Sequence, residues 1–187
     1  YQVPALLLPG LTLVISPLIS LMKDQVGALN EAGVPAACVN SAMSAESMRD
    51  VLGYAAQSGY KLLYVAPERL TAPAFLSFAQ RVPVSMVTVD EAHCISQWGQ
   101  DFRPSYLKIL DFLAALPARP LVSAFTATAT EAVRDDIVRA LGLRDPFVLT
   151  TGFDRPNLYF AVERPPSKPN ALLRLLAART GKSGIVY

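Results

Sequence analysis

The first 22 residues of this 187-residue chain carry no charge; Lys23 is the first ionisable side chain after the N-terminus apart from Tyr1. So long an uncharged run raises the question of a membrane segment. Pro4, Pro9-Gly10 and Pro17 interrupt it and no basic region precedes it, so it suits neither a spanning helix nor a signal peptide and is read as soluble core. Cysteine is scarce too. Cys38 and Cys94 stand far apart with no CxxC or Cys/His spacing, which points to reduced thiols in a cytosolic protein and away from zinc. There is one histidine and one tryptophan. The phosphate-cradling pattern G-x-x-x-x-G-K-[ST] is also missing. The only Gly-Lys-Ser, Gly181-Lys182-Ser183, has Leu176 where the first glycine belongs, and it follows a helical pattern and precedes a strand pattern, the reverse of the required context.

What is present is a core. Hydrophobic residues make up 52% of the chain and charged ones 17%, ample for a buried interior and unlike a disordered segment. The net charge of +2 hides an asymmetry: residues 1–154 hold 11 basic against 14 acidic side chains, residues 155–187 hold 6 against 1. Two readings of that basic end are open, a face toward nucleic acid and an ordinary solvated helix face.

Short apolar runs alternate with segments of helical period. Strands are expected at Leu11–Ile15, Ala36–Asn40, Lys61–Val65, Ser85–Asp90, Leu121–Thr126, Leu158–Glu163 and Gly184–Tyr187, near-continuously apolar as strands covered on both faces are. Between them, Ser16-Pro17 reads as a helix start with a capping side chain, Leu18, Met22, Val26 and Leu29 as its inner face, and Gly33 as its end. Thr128 to Glu131 has capping-box spacing ahead of a helix that Gly142 stops. A last helix is expected from about Pro169 to Thr180. The alternation predicts an α/β fold with a mainly parallel sheet flanked by helices. Residues 1–150 form the main domain, the proline-bearing stretch 151–168 a connector, and 169–187 the opening of a second domain.

One stretch concentrates chemistry. The apolar run Met86–Val89 ends in Asp90-Glu91-Ala92-His93 and continues into Cys94-Ile95-Ser96-Gln97-Trp98-Gly99-Gln100-Asp101-Phe102-Arg103-Pro104-Ser105-Tyr106. Two adjacent acids at the C-terminal edge of a parallel sheet lie where open α/β folds bind ligands. One can hold Mg²⁺ and the other can orient a water against a nucleotide phosphate. Trp98, Phe102, Arg103 and Tyr106 suit stacking on bases and contact with a phosphate backbone, although Phe102 and Tyr106 equally suit covering the core.

Together with Ser16–Gln25, Ala66-Pro67-Glu68-Arg69-Leu70 and Ala124–Thr130, these residues closely resemble the RecQ family of ATP-dependent DNA helicases in superfamily 2, and the resemblance runs from Tyr1 to Tyr187. Its most specific part is Asp90–Tyr106. Phe153–Leu158 looks like the passage between the family's two RecA-like motor domains, and Ser183–Tyr187 like the start of a further motif. The resemblance implies a RecA-like fold, ATP and Mg²⁺ as cofactors, and single-stranded or partly duplex DNA as partner. It further implies 3′-to-5′ unwinding in repair and recombination, in the cytoplasm of a bacterium (preferred here) or the nucleus of a eukaryote. By it, Asp90 would hold the water shell of Mg²⁺, Glu91 would polarise the attacking water, and His93 would connect the nucleotide site with the DNA-reading loop. Thr126 and Thr128 would link ATP state to domain movement, with a helix cap as the plain alternative. Trp98, Phe102 and Arg103 would contact single-stranded DNA, as would Ser16, Pro17 and Lys23 near a helix start, where ordinary capping explains Ser16 as well. Glu68–Arg69 suits a local ion pair.

In that family the phosphate loop lies just upstream of the position of Tyr1, on a strand central in the sheet. The expectation is therefore that this chain by itself hydrolyses essentially no ATP and is marginally folded, with two strand edges exposed inside the sheet. Two other classes stay open: a non-catalytic nucleic-acid-binding or interaction module, and an RNA helicase of the wider DEAH group.

Overall fold

The computed structural model describes residues 1–99, 101–152 and 156–187. Two compact units divide the chain, Tyr1–Phe147 and Val148–Tyr187.

The first unit is built on five strands: β1 (Leu11–Ile15), β2 (Ala36–Val39), β3 (Leu62–Val65), β4 (Val84–Val89) and β5 (Leu121–Ala124). They form one sheet in the order β2-β3-β1-β4-β5, and all four pairings are parallel. Helices fill the crossovers: α1 (Gln2–Leu7) leads in, and α2 (Ile19–Glu31), α3 (Ala45–Ala56), α4 (Pro73–Ala79), α5 (Ile109–Ala115) and α6 (Glu131–Ala140) follow, with 3₁₀ turns at Pro67–Arg69, Ala92–Ile95 and Pro104–Lys108.

Period-2 alternation explains why the strands read as unbroken apolar runs. Leu13, Ile15, Leu63, Val65, Val87 and Val89 face one core, which they share with Phe75, Phe112 and Ile137. Val14, Leu62, Tyr64 and Met86 face the other, with Ala5, Met22 and Leu29 of α1 and α2. All five residues of β1 are buried. Each such side chain contributes about 1.5–3 kcal/mol by leaving water, and truncating Leu13 to Ala in this packed layer costs about 2–5 kcal/mol.

The described strands number five, and the ladder across them is continuous. No pair of edges opens inside it, because β1 is hydrogen-bonded on both sides, to β3 and to β4. The unpaired edges are those of β2 and β5, as in any open sheet.

Two helix starts differ from expectation. α2 begins at Ile19 with Leu18 at its cap position and no capping side chain, so Ser16 and Pro17 lie in the loop before it. The Ser16 hydroxyl is drawn instead to Asp90. α6 is capped by Thr130, whose hydroxyl accepts from the Val133 N–H at 3.4 Å, rather than by Thr128. Gly33 and Gly142 take the left-handed conformations (φ 78° and 55°) that end α2 and α6.

In the second unit, α7 (Lys168–Ala177) is capped by Ser167 and has no buried residue. The stretches Leu158–Glu163 and Gly184–Tyr187 form no strand, and both are exposed. Phe153, Asp154 and Arg155 of the expected interdomain passage lie outside the described residues, as does Gln100 of the aromatic stretch. Among the described residues no helix is long and apolar enough to cross a membrane.

Candidate functional site

Chain direction places the site. From β1 the chain crosses toward β2 on one side, whereas from β4 it crosses toward β5 on the other. The C-terminal ends of the adjacent β1 and β4 therefore flank a topological switch point, where loops diverge and leave a crevice. Ser16 follows β1 there and Asp90-Glu91 follow β4.

The Asp90 N–H donates to the carbonyl of Ile15 (2.8 Å), which locks the acid to the end of β1. Ser16, 1% exposed, donates its hydroxyl to Asp90 Oδ2 at 3.5 Å. Burial pushes the Asp90 carboxyl above its ordinary range, and the Glu91 backbone N–H and the Ser16 hydroxyl only partly oppose the shift. The next residue turns sharply. Glu91 has φ 47° and ψ 46°, left-handed values that cost a non-glycine residue roughly 1–2 kcal/mol. That turn rotates the chain off the strand, and the Ala92 N–H is caught by the carbonyl of Phe125 beyond β5 (2.9 Å).

His93 sits between two groups. Its Nδ1 is 2.9 Å from Thr126 Oγ1 and 3.3 Å from Glu91 Oε2. The Thr126 hydroxyl also donates to the Thr128 carbonyl (3.4 Å) and accepts from the Thr128 N–H (3.2 Å), an arrangement that suits Nδ1–H as donor to Thr126. One imidazole thus touches both the second acid and the segment after β5.

The aromatic loop leaves from the same place. Trp98 is 81% exposed, the only tryptophan and among the most exposed large side chains of the first unit. Its N–H donates to Ser96 Oγ (3.1 Å), and the Gly99 N–H donates to the Ser96 carbonyl (3.0 Å). A Cβ on Gly99 would collide with the His93 carbonyl oxygen, so only glycine lets the loop fold back this closely. Phe102 is half-buried. Arg103 donates to Asp101 Oδ2 through Nε (3.0 Å) and Nη2 (2.8 Å), and through Nη1 to the Pro17 carbonyl (3.0 Å), joining the aromatic loop to the loop after β1. Lys23 is exposed on α2. Glu68 accepts from the Ser105 hydroxyl (3.4 Å) and Arg69 donates to the Asn40 carbonyl (3.1 Å); no ion pair joins Glu68 to Arg69 among the described residues.

The structure thus brings Asp90, Glu91, His93, Thr126 and Ser16 together and carries Arg103 to Pro17, while Trp98 and Lys23 project outward. Sequence reasoning missed two contacts. Tyr106, wholly buried, donates its hydroxyl to the Asp90 carbonyl at 2.9 Å, a polar role that a core-covering aromatic hides. Ser96 donates to Asp136 Oδ2 of α6 at 2.7 Å, which no local pattern signals because the partners lie 40 residues apart.

No group of three or more His, Cys, Asp or Glu side chains is gathered for a metal among the described residues. The donor set at the switch point suits a hard cation held chiefly by nucleotide phosphates and water, with one or two carboxylates contributing, as Mg²⁺ is commonly bound.

Comparison with known proteins agrees with this geometry. Residues 1–136 match the DEAD/DEAH box helicase family, and the chain belongs to that family. Over its whole length it is 46% identical to ATP-dependent DNA helicase RecQ of Bacillus subtilis and 44% identical to the RecQ helicase of Pasteurella multocida, spanning 32% and 29% of those proteins. It thus covers about a third of the length of the curated relatives it matches. Among solved structures, the Pyrococcus furiosus Hef helicase domain aligns with 72% of this chain and 28% of its own (TM-score 0.54, 18% identity). A hypothetical ATP-dependent RNA helicase from Sulfolobus tokodaii aligns with 75% of this chain and 40% of its own (TM-score 0.57, 20% identity). At such identities the structural likeness speaks for the RecA-like helicase fold alone.

Proposed function

We propose that this chain is the nucleotide- and DNA-coupling part of a RecQ-type, ATP-dependent 3′-to-5′ DNA helicase acting in repair and recombination, with the bacterial cytoplasm as its compartment. The observation that carries the reading is the continuity from Asp90-Glu91 through His93 to Trp98, within one short stretch fastened to β1 and β5. The polarity rests on family resemblance.

Phosphoryl transfer from ATP asks for charge neutralisation and positioning more than for covalent work, and Mg²⁺ would supply the neutralisation at the phosphates. Asp90, oriented by Ser16, would hold the ion's water shell. Glu91 would accept a hydrogen bond from the attacking water and fix its direction. His93, in contact with Glu91 and Thr126, would make the direction of that acid depend on the segment after β5. Trp98 would stack on a base, an interaction worth about 1–3 kcal/mol per base. Phe102 and Arg103 would follow the strand beside it, and Pro17 and Lys23 would extend the face across the loop after β1.

The reading as an RNA helicase draws only on fold likeness, whereas the relatives at 44–46% identity are named DNA helicases.

The test is ATP hydrolysis by this chain and by a version supplied with a phosphate loop ahead of Tyr1, each with and without single-stranded DNA or RNA. Hydrolysis stimulated by DNA in preference to RNA, with the stimulation abolished by Trp98→Ala, is the expected result. No stimulation in either would favour the binding module, and unchanged stimulation in Trp98→Ala would remove the tryptophan from the coupling.

A further inference from the structure

Ala92, Cys94 and Ile95, at the start of the aromatic loop, share a buried core with Val133 and Ile137 of α6, but the part of the loop around Trp98 does not close on the helix. Between them lies an open cavity of about 350 Å³, lined among others by Ile95, Gln97, Trp98, Arg139 and Ala140. Apolar packing therefore fixes the loop as far as Ile95, and beyond it a hydrogen bond fastens the loop to the helix. Ser96, 2% exposed, donates its hydroxyl to Asp136 Oδ2 at 2.7 Å, and Ser96 Oγ itself accepts the Trp98 backbone N–H at 3.1 Å. One donor proton and one accepted bond use the hydroxyl in both its capacities, so a single buried atom ties Trp98 to α6. The other Asp136 oxygen, Oδ1, is held by Arg139 one turn later in α6.

We propose that Asp136 is a positioning residue for the aromatic loop, acting on Trp98 through Ser96. The proposal deepens the reading of Trp98 as a DNA contact and rests on it for its functional consequence. It also gives the coupling a second route. The segment from Thr126 to Asp136 meets the stretch from His93 to Ser96 twice, at His93–Thr126 (2.9 Å) and at Ser96–Asp136 (2.7 Å). A displacement of Thr126 therefore reaches Trp98 through α6 as well as along the loop itself.

Trp98 is the only tryptophan, so its fluorescence anisotropy in this chain reports the mobility of the loop without a label. Asp136→Ala removes the acceptor at a partly exposed helix position where alanine is a good helix former, so the fold is retained. The expected result is faster depolarisation of Trp98 in Asp136→Ala and Ser96→Ala. Parental values are expected in Asp136→Asn, whose amide oxygen still accepts from Ser96, and in Arg139→Ala, which keeps the carboxylate. Parental anisotropy in Asp136→Ala, with an unchanged circular dichroism spectrum, would overturn the proposal. So would an equal loss in Arg139→Ala, which would assign the effect to the ion pair. A single-stranded oligonucleotide titrated against Trp98 emission supplies the functional arm. Asp136→Ala should weaken binding about tenfold, the factor carried by one hydrogen bond to a charged group, with Asp136→Asn restoring it. If DNA leaves Trp98 emission of the parent chain unchanged, the DNA reading fails, while the anisotropy series still decides whether Asp136 holds the loop.

Discussion

Replacing Tyr106 with phenylalanine isolates one bond between the aromatic stretch and the first acid. The ring is wholly buried and its hydroxyl donates to the Asp90 carbonyl at 2.9 Å, just past the point where the β4–β5 register ends at Val89. Burial pushes the phenol above its ordinary titration range, so it is a donor at neutral pH. The substitution deletes one oxygen and leaves the ring, so the packing around Ile109 and Phe112 is kept and no cavity of consequence opens. What is lost is a neutral hydrogen bond, about 1 kcal/mol net, plus part of the cost of stranding a carbonyl away from water. A total of about 1–2 kcal/mol follows. For a unit of this size it lowers Tm by about 2–4 °C per kcal/mol. Urea unfolding read by circular dichroism measures it: the midpoint should fall with no change in m. A loss below about 0.5 kcal/mol would mean that the hydroxyl contributes nothing beyond what water would, and that Asp90 is held by β1 alone.

Asp90→Asn should stabilise the ligand-free protein. Because burial raises the folded carboxyl above its unfolded value, the native state binds more protons than the unfolded one between the two, and stability falls as pH rises through that window. Denaturation midpoints of Asp90→Asn and parent should differ at neutral pH and converge in acid; a difference independent of pH would refute the linkage. Asp101→Asn releases the Arg103 guanidinium from a pair whose partners are 30% and 55% exposed, and should raise single-stranded DNA affinity by about two- to fivefold, the range of exposed ion pairs, in an anisotropy titration at low salt. The Cys94 thiol, buried and pushed up to about 11, should react with a disulfide reagent near about pH 8 far more slowly than the partly exposed Cys38, and two equally fast thiols would contradict the burial.

Much of this was legible in the residues because the sheet is buried on both faces. Strands such as Leu11–Ile15 then read as unbroken apolar runs, and the acids at the end of Ser85–Asp90 fall where a parallel sheet binds ligands. Local rules failed where a tertiary partner outbid them. Ser16 has the chemistry of a cap, but Asp90 claims its hydroxyl and α2 starts three residues later without one. Leu158–Glu163 has strand composition, yet composition cannot supply the neighbour that a strand requires. Tyr106 and Asp136 were illegible for a different reason: each acts through one hydrogen bond to a residue remote in sequence, and nothing in the periodicity of either segment encodes it.

The place of β1 at the middle of the sheet has a consequence in time. It is the first of the described strands in chain order and depends on the third and fourth for both its neighbours, Leu13 pairing with Leu63 on one side and Val87 on the other. Its five apolar residues must stay unpaired until those later segments exist, and closing such long loops is slow. Ser16 and Asp90, separated by 74 residues, meet only when the second closure is complete. The crevice therefore cannot form before both closures are made. On a ribosome, a nascent chain stopped short of Val89 would present β1 as a sticky, unsatisfied edge, and the interval before β4 emerges is when this protein most needs shelter from its neighbours.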